Sequence, residues 1–549
     1  MQLSTTLLDI KFIRENKELV QEAAKKKRIK FDVGALLAVD DRRREKLQVV
    51  EDQRKAQNDY NQKIANEKNT TVRMQYIETM RLLKEELAKE EEKLKETLKD
   101  WQTLMLAVPN IPDVSVPDGD DDKSNKEVKK WGKLPWKKVL QPAYLLAKEG
   151  FPVYPSLARH IEEGKELLAK EPYTKELLFR NGLPLKVGEL FTQADLAKTI
   201  DHISKKGKEG FSKGEIAKKI IAIVKERGGI LTEKDLTSYQ EKYRTPIRGK
   251  FKEFEYTSSP PPSAGGVLLG EMLNVLSGYD IAEIAKAPKE YYHLLTEVMK
   301  RSYADRSELI GDPDFFKSPY AELLTADYAS HVREKINLEK ATPSSEIKSG
   351  QFLKRESQHT THLSIIDDEG NAVASTLTIN NTFGAGFAAP GTGVFLNDEM
   401  DDFSAKPGVQ NIYGLTSGES NAIKAGKRPV SSMTPTLFFK NGKPILAVGA
   451  AGGSRIISSV AQISLNYLVV TPGDLKRAMF SPRMHHQWVP DKLNLEEGLF
   501  EELESSLKEK GHDVIKAPWQ AIADAVSREK NGETTAVFDP RDEGGAEAD

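Results

Sequence analysis

A chain of 549 residues can hold three or four domains of roughly 150 residues each, and 38% hydrophobic with 30% charged residues is a globular composition with a charge-rich part. There is no cysteine, which excludes disulfide scaffolds, thiolate metal sites and cysteine nucleophiles. A net charge of −2 selects neither for nor against nucleic acid, and no apolar run reaches the ~20 residues of a membrane span, so no membrane partner is expected.

The N-terminal stretch is charged at Asp9, Lys11 and Arg14 and has no small-residue cleavage site. It reads as no signal peptide, and a cytoplasmic location is the expectation. Residues 40–100 are dense in Glu, Lys, Arg, Gln and Leu and contain neither Gly nor Pro, which favours long helices. A break falls at Glu67–Thr71, where Asn69 and Thr70 suit a turn and a cap. Beyond it Met80, Leu87, Leu94 and Trp101 recur every seven residues, flanked by Ile77 and Leu98. Before it Leu47, Val50, Tyr60 and Ile64 form a more polar stripe. The pattern predicts an all-α antiparallel coiled-coil hairpin within residues 1–132. Prolines at Val108–Pro112 end it, and Asp118–Asp122 reads as a solvated loop. Two basic clusters, Lys25-Lys26-Lys27-Arg28 and Arg42-Arg43-Arg44, could meet phosphates. Residues 1–132 hold 27 basic against 26 acidic side chains, so a solvated face is the simpler account.

From Leu134 the texture changes to a mixed α/β pattern. Leu140–Lys148, Ile216–Arg227 and Tyr291–Arg301 have helical spacing. Pro260–Gly266 is a turn-rich loop before an apolar helix, Val267–Leu276. Thr360–Asp367, the polar turn Asp368–Asn371 and Ala372–Asn380 read as strand, turn, strand. Apolar strands follow at Thr436–Phe439 and Ile445–Gly449. Gly452-Gly453-Ser454-Arg455 then leads into an apolar helix, Ile456–Leu468.

A threonine hydroxyl becomes a useful nucleophile when a base sits beside it, and its own free α-amine can be that base. Internal Thr360 meets the condition only if the bond from His359 is cut. The same hydroxyl can make that cut. Paired glycines at a helix start, such as Gly452-Gly453, let backbone N–H groups approach an oxyanion. Each feature also has a structural reading: threonine suits a strand start, and Asp402, Asn380 and Ser431-Ser432 suit turns and loops. Among nine histidines only His485-His486 are paired in sequence, and neither a metal nor another cofactor is expected.

Two family resemblances organise these pieces. The stretch Leu8–Asn16, the long hairpin, Val108–Pro112, Val116-Pro117 and Val128–Gly132 come in an order that resembles the N-terminal domain of seryl-tRNA synthetase. That resemblance implies a hairpin that reaches tRNA(Ser), with Lys25, Lys26, Lys27, Arg28, Arg42, Arg43 and Arg44 as the available contacts. The catalytic domain of that family has no counterpart, so aminoacylation is not implied.

The remainder carries Pro260–Gly266, Tyr303-Ala304-Asp305-Arg306, Gly311–Phe315, Pro343–Ile347, Thr360-Thr361-His362, Asn397–Phe403, Lys427–Met433 and Gly452–Arg455 in one order. It resembles gamma-glutamyltransferase (glutathione hydrolase), an Ntn-hydrolase of αββα architecture that cleaves itself into two subunits. The resemblance implies a large-subunit portion at 133–359 and a small-subunit portion at 360–549. Thr360 would be the nucleophile, Thr378 its hydrogen-bonding activator, and Gly452 and Gly453 the oxyanion donors. Asn380, Glu399 and Asp402 would hold the α-ammonium of the glutamyl group, Ser431 and Ser432 its carboxylate side, and Tyr413 the pocket wall. Glutathione or another gamma-glutamyl compound would be the substrate, with water or an amino acid or peptide as acceptor. The N-terminal region of that family, which carries core strands and a substrate-clamping arginine, has no counterpart. The αββα body would therefore be incomplete, with an exposed sheet edge and apolar surface. No Gly/Ser linker separates the two parts. Alternative readings are a tRNA(Ser)-binding arm on a catalytically inert body, or an inactive fusion.

Overall fold

The computed structural model describes residues 10–18, 20–21, 31–106, 134–347, 360–404, 418–529 and 531–547. The chain divides into two compact units, Met1–Gly119 and Asp120–Asp549. Lys25, Lys26, Lys27, Arg28, Tyr413, Val108–Pro112, Asp118–Asp122 and the join at 132–133 lie outside the described residues.

In the first unit the long Gly- and Pro-free run forms two helices, α1 (Val33–Asn66) and α2 (Thr70–Leu106). Asn69 caps the second, its side-chain oxygen accepting the N–H groups of Thr71 at 3.0 Å and Val72 at 3.3 Å. The helices pack as the expected antiparallel hairpin, and Val50, Leu87 and Leu94 are buried along the seam. Of the two flanking positions Leu98 packs against the seam and Ile77 is 46% exposed, and Leu47 of the first helix's polar stripe is 38% exposed. A seam this polar gives a narrow contact, and Arg54 on α1 instead bonds Glu91 on α2 at 2.7 Å in solvent. At the base, Ile13, Val20, Phe31, Val33, Leu36 and Met105 close a small core.

The second unit is α/β. Its centre is a six-stranded antiparallel sheet built from β1 (Ile247–Phe251), β2 (Phe254–Ser258), β5 (Thr436–Lys440), β6 (Lys443–Ala451), β7 (Ile522–Arg528) and β8 (Thr534–Phe538). Their order is β8-β7-β6-β5-β2-β1. Between β2 and β5 the chain also forms β3 (Thr361–Ile366) and β4 (Ala372–Leu377), which pair only with each other among the described residues. Three largely buried helices, α3 (Gly265–Leu276), α4 (Pro288–Leu309) and α5 (Arg455–Leu465), share the main core with alternate residues of β6 and β7: Leu446, Val448, Ala450, Ala523 and Ala525. The other face of β6 receives the β3–β4 hairpin, where a Cβ on Gly449 would collide with the His362 ring. The layers are therefore helices, a large sheet and a two-stranded sheet. The expected helix at 456–468 ends as an α-helix at Leu465 and finishes in a wider π-turn, Asn466–Val470.

Candidate active site

Thr360 stands directly before β3, and Thr378 directly after β4. The strand register sets Thr361 opposite Leu377, so the hairpin brings the two hydroxyls together from 18 residues apart. Thr360 Oγ1 donates to Thr378 Oγ1 at 3.4 Å. Thr378 Oγ1 also accepts the backbone N–H of Asn380 at 2.9 Å. That bond is favoured by the left-handed backbone of Asn380, φ 72°, which asparagine tolerates better than most residues. Asn380 is buried, and its Nδ2 donates to the Asp398 carbonyl at 3.2 Å.

These residues line one cleft with Asp402, Ser431, Ser432 and Gly453. Three other parts of the chain supply those groups. The loop before α3 positions the serines: Ala264 N–H donates to the Ser431 carbonyl at 2.9 Å and Ser431 N–H to the Pro262 carbonyl at 3.2 Å. Only glycine fits at 265, since a Cβ there would lie 2.3 Å from the Met433 carbonyl oxygen. Gly452 and Gly453 join β6 to α5, with φ of 145° and 55°. A side chain at 452 would also press on Ala521 at 2.9 Å. Glu399 and Asp402 sit on one 3-10 turn.

The electrostatics of that turn are unusual. Burial, and secondarily the charge of Asp398, push the Glu399 carboxyl up to about 7. Burial and the Glu399 charge push Asp402 well above its ordinary value. Glu399 Oε1 is buried with no hydrogen-bond partner among the described residues. Two crowded carboxyl groups at low dielectric need either a shared proton or a cation.

A buried cation adjoins the cleft through Ser432. Arg306, on α4, is 3% exposed and donates from Nη2 to Ser432 Oγ at 3.3 Å. Its Nε and Nη1 are buried without a partner among the described residues. Burial lowers it to about 10 against a smaller opposing pull from Asp402 and Tyr303. In the sequence Arg306 stands out only as the last residue of Tyr303-Ala304-Asp305-Arg306. Its signal is an arginine on an otherwise apolar helix face, and burial alone makes it prominent. His362, buried beside the nucleophile, is lowered to about 4 by that burial and stays neutral. It bonds Thr376 Oγ1 at 2.8 Å and Ser364 Oγ at 3.0 Å, tying the two strands together.

Other sequence candidates fall elsewhere. His485 and His486 are both buried: His485 bonds Ser458 at 2.8 Å and His486 bonds Asp491 at 3.1 Å. His293, Glu297 and His512 form the one grouping with metal-ligand chemistry found among the described residues. Glu297 is already paired with Arg301 at 2.8 Å and lies 3.7 Å from Lys300, while the imidazoles bond each other at 2.7 Å. Two cations thus neutralise the carboxylate that a metal would need. In the first unit, Arg42 and Arg44 are exposed, whereas Arg43 turns inward. It pairs with buried Asp40 at 2.8 Å, and its guanidinium lies 4.8 Å over the Trp101 ring.

Comparison with known proteins gives two matches along the chain. Residues 116–549 match the gamma-glutamyltranspeptidase family and residues 7–112 the seryl-tRNA synthetase N-terminal domain. The glutathione hydrolase proenzyme of Escherichia coli is 41% identical over 413 residues, covering 75% of this chain and 71% of that protein. That of a Pseudomonas species is 43% identical over 368 residues, 67% of this chain and 64% of its own length. Among solved structures, a cephalosporin acylase from Bacillus halodurans superposes with a TM-score of 0.66 at 24% identity, covering 76% of this chain and 75% of that one, and so shares the fold.

Proposed function

Because the chain belongs to the gamma-glutamyltranspeptidase family through residues 116–549, we propose that it is a self-cleaving hydrolase or transferase of gamma-glutamyl amides with Thr360 as nucleophile. The supporting observation is one cleft that collects Thr360, Thr378, Asn380, Asp402, Ser431, Ser432 and Gly453 from distant parts of the sequence.

Maturation follows from the hydroxyl. Thr360 Oγ1, oriented by its hydrogen bond to Thr378, attacks the His359 carbonyl carbon, and its proton passes to the Thr360 amide nitrogen. The His359–Thr360 C–N bond breaks as the C–O ester forms, and the nitrogen becomes the free α-amine of Thr360. Water then hydrolyses the ester, leaving a carboxylate on His359 and a regenerated hydroxyl. Residues 133–359 and 360–549 become the large- and small-subunit portions.

Catalysis repeats the attack on a substrate. The α-amine takes the hydroxyl proton as Oγ1 adds to the gamma-carbonyl carbon, and the N–H groups of Gly452 and Gly453 stabilise the oxyanion. The amide nitrogen leaves with that proton. Water or an incoming amine then takes the gamma-glutamyl group from the ester. Asn380, Glu399 and Asp402 face the substrate ammonium, whose charge offsets their crowded carboxyl groups. Ser431 and Ser432 face the substrate carboxylate, with Arg306 behind Ser432 as the positioning cation. Glutathione fits this chemistry as a gamma-glutamyl amide. The test is release of p-nitroaniline from gamma-glutamyl-p-nitroanilide: steady release that Thr360→Ala abolishes supports the reading, and release unaffected by that change refutes it.

For the first unit, the match to the tRNA-synthetase arm and the outward Arg42 and Arg44 favour contact with the tRNA backbone. Binding to a tRNA with a long variable arm should weaken with salt and on neutralising those two residues.

A further inference from the structure

The acidic turn and the serine loop reach the cleft from separate parts of the chain, and one buried side chain joins them. Asn421, on the 3-10 turn Glu419–Asn421, is 1% exposed and does not itself line the cleft. Its Nδ2 donates to the backbone carbonyl of Asp402 at 2.7 Å. Its Oδ1 accepts the backbone N–H of Val430, the residue before Ser431, at 3.0 Å. The amide can face only one way here, since a carbonyl needs a donor and an N–H needs an acceptor. Main-chain bonds reinforce the turn on both sides. Ser404 N–H, two residues beyond Asp402, donates to the Asn421 carbonyl at 2.9 Å. From the serine loop, Lys427 Nζ donates to the carbonyls of Ser420 at 2.8 Å and Ala422 at 2.9 Å.

We propose that Asn421 is a positioning residue that fixes the span between Asp402 and Ser431-Ser432. It thereby sets the cleft's preference for a ligand end that carries both an ammonium and a carboxylate. The inference rests on the roles given to those two walls in the proposed function. A planar amide bonded at both ends holds two main-chain points at one separation, and buried polar groups are costly to leave unpaired. The side chains that meet the ligand project from those points: Asp402 itself, and the two serines that follow Val430. A shift of about 1 Å between the walls lets a ligand satisfy either wall but not both, so a residue that never touches the ligand governs how it is recognised. Alanine at 421 removes this partner from both the Val430 N–H and the Asp402 carbonyl, and the walls relax independently.

The experiment measures, by titration calorimetry on the full chain, the affinity for three probes. They are L-glutamate, glutarate, which lacks the ammonium, and 4-aminobutyrate, which lacks the neighbouring carboxylate. The parent should bind glutamate at least about ten-fold more tightly than either analogue, because each analogue leaves one wall unpaired. Asn421→Ala should weaken glutamate about ten-fold and each analogue by less than about three-fold, so that both preferences shrink. A general loss of packing would weaken all three probes alike. Lys427→Met removes the second tie, keeps most of its side-chain volume and should shrink both preferences in part. If Asn421→Ala does not fold, Lys427→Met decides the matter. Three results would overturn the inference: a parent with no preference for glutamate, equal weakening of all three probes, or preferences that the folded variants leave unchanged. Turnover is not needed for this measurement. A chain that shows the expected preferences and releases no p-nitroaniline keeps the positioning residue and loses the nucleophile. A chain that releases p-nitroaniline and whose preferences ignore both changes keeps the nucleophile and loses the positioning residue.

Discussion

Replacing Arg306 by methionine should make the empty protein more stable and its site less useful. The guanidinium is buried, one nitrogen has a long bond to Ser432, and two have no partner among the described residues. Burial brings it from an ordinary 12.5 to about 10, so its charge is held at a cost of about 3 kcal/mol relative to water. Methionine removes that cost, fills similar volume and loses one hydrogen bond worth about 1 kcal/mol. The net expectation is a gain of about 1–2 kcal/mol, read as a melting temperature a few degrees higher. The same change removes the cation behind Ser432, and a charge-assisted contact is worth about 1.5–3 kcal/mol, so affinity for a gamma-glutamyl amide should fall about 10- to 100-fold. Thermal unfolding with and without ligand reads both effects. A variant that is less stable than the parent and keeps its affinity would refute the reasoning, because Arg306 would then be a satisfied structural cation.

The Glu399 carboxyl, raised to about 7 in the folded state, favours its protonated form there. Its contribution to stability is present below its unfolded value of about 4.5 and is lost as pH rises through about 7. Unfolding of the empty protein should accordingly become easier across that window, and Glu399→Gln should flatten the dependence. Binding of an ammonium ligand should release protons near pH 7, measurable by calorimetry in buffers of different ionisation enthalpy. Gly452→Ala should cost about 1–3 kcal/mol from its positive φ alone and should slow self-cleavage, followed by gel electrophoresis over time. In the first unit, Arg43→Ala leaves buried Asp40 with one arginine fewer and should cost about 1–3 kcal/mol in denaturant unfolding. Exposed Arg42→Ala should change unfolding by less than about 0.5 kcal/mol.

Local signals in the sequence were enough for the hairpin arm and for the strand–turn–strand at Thr360. Gly- and Pro-free helix formers, Asn69 as a cap and Asp368–Asn371 as a turn each act over a few residues. The order of family motifs pointed to candidate site residues, and one cleft gathers most of them. What the sequence did not display is set by distance and burial. The six-stranded sheet joins strands from residues 247 to 538, a pairing that no local pattern encodes. Arg306 and Glu399 owe their electrostatics to neighbours that arrive from other elements. Ile77 flanks the heptad in sequence and Leu47 belongs to the polar stripe before it, and both fall outside a seam too polar to be wide. The expected apolar exposure of an incomplete αββα body has a concrete counterpart in Leu363, Ile365, Val373 and Leu377.

The central claim is that Thr360 cuts the chain before itself. The most direct measurement is the intact mass of the purified protein after prolonged incubation at neutral pH, beside Thr360→Ala. Two fragments matching residues 1–359 and 360–549, absent from the variant, are the predicted result. A single uncut chain in both samples would contradict the account and leave the cleft without a working nucleophile.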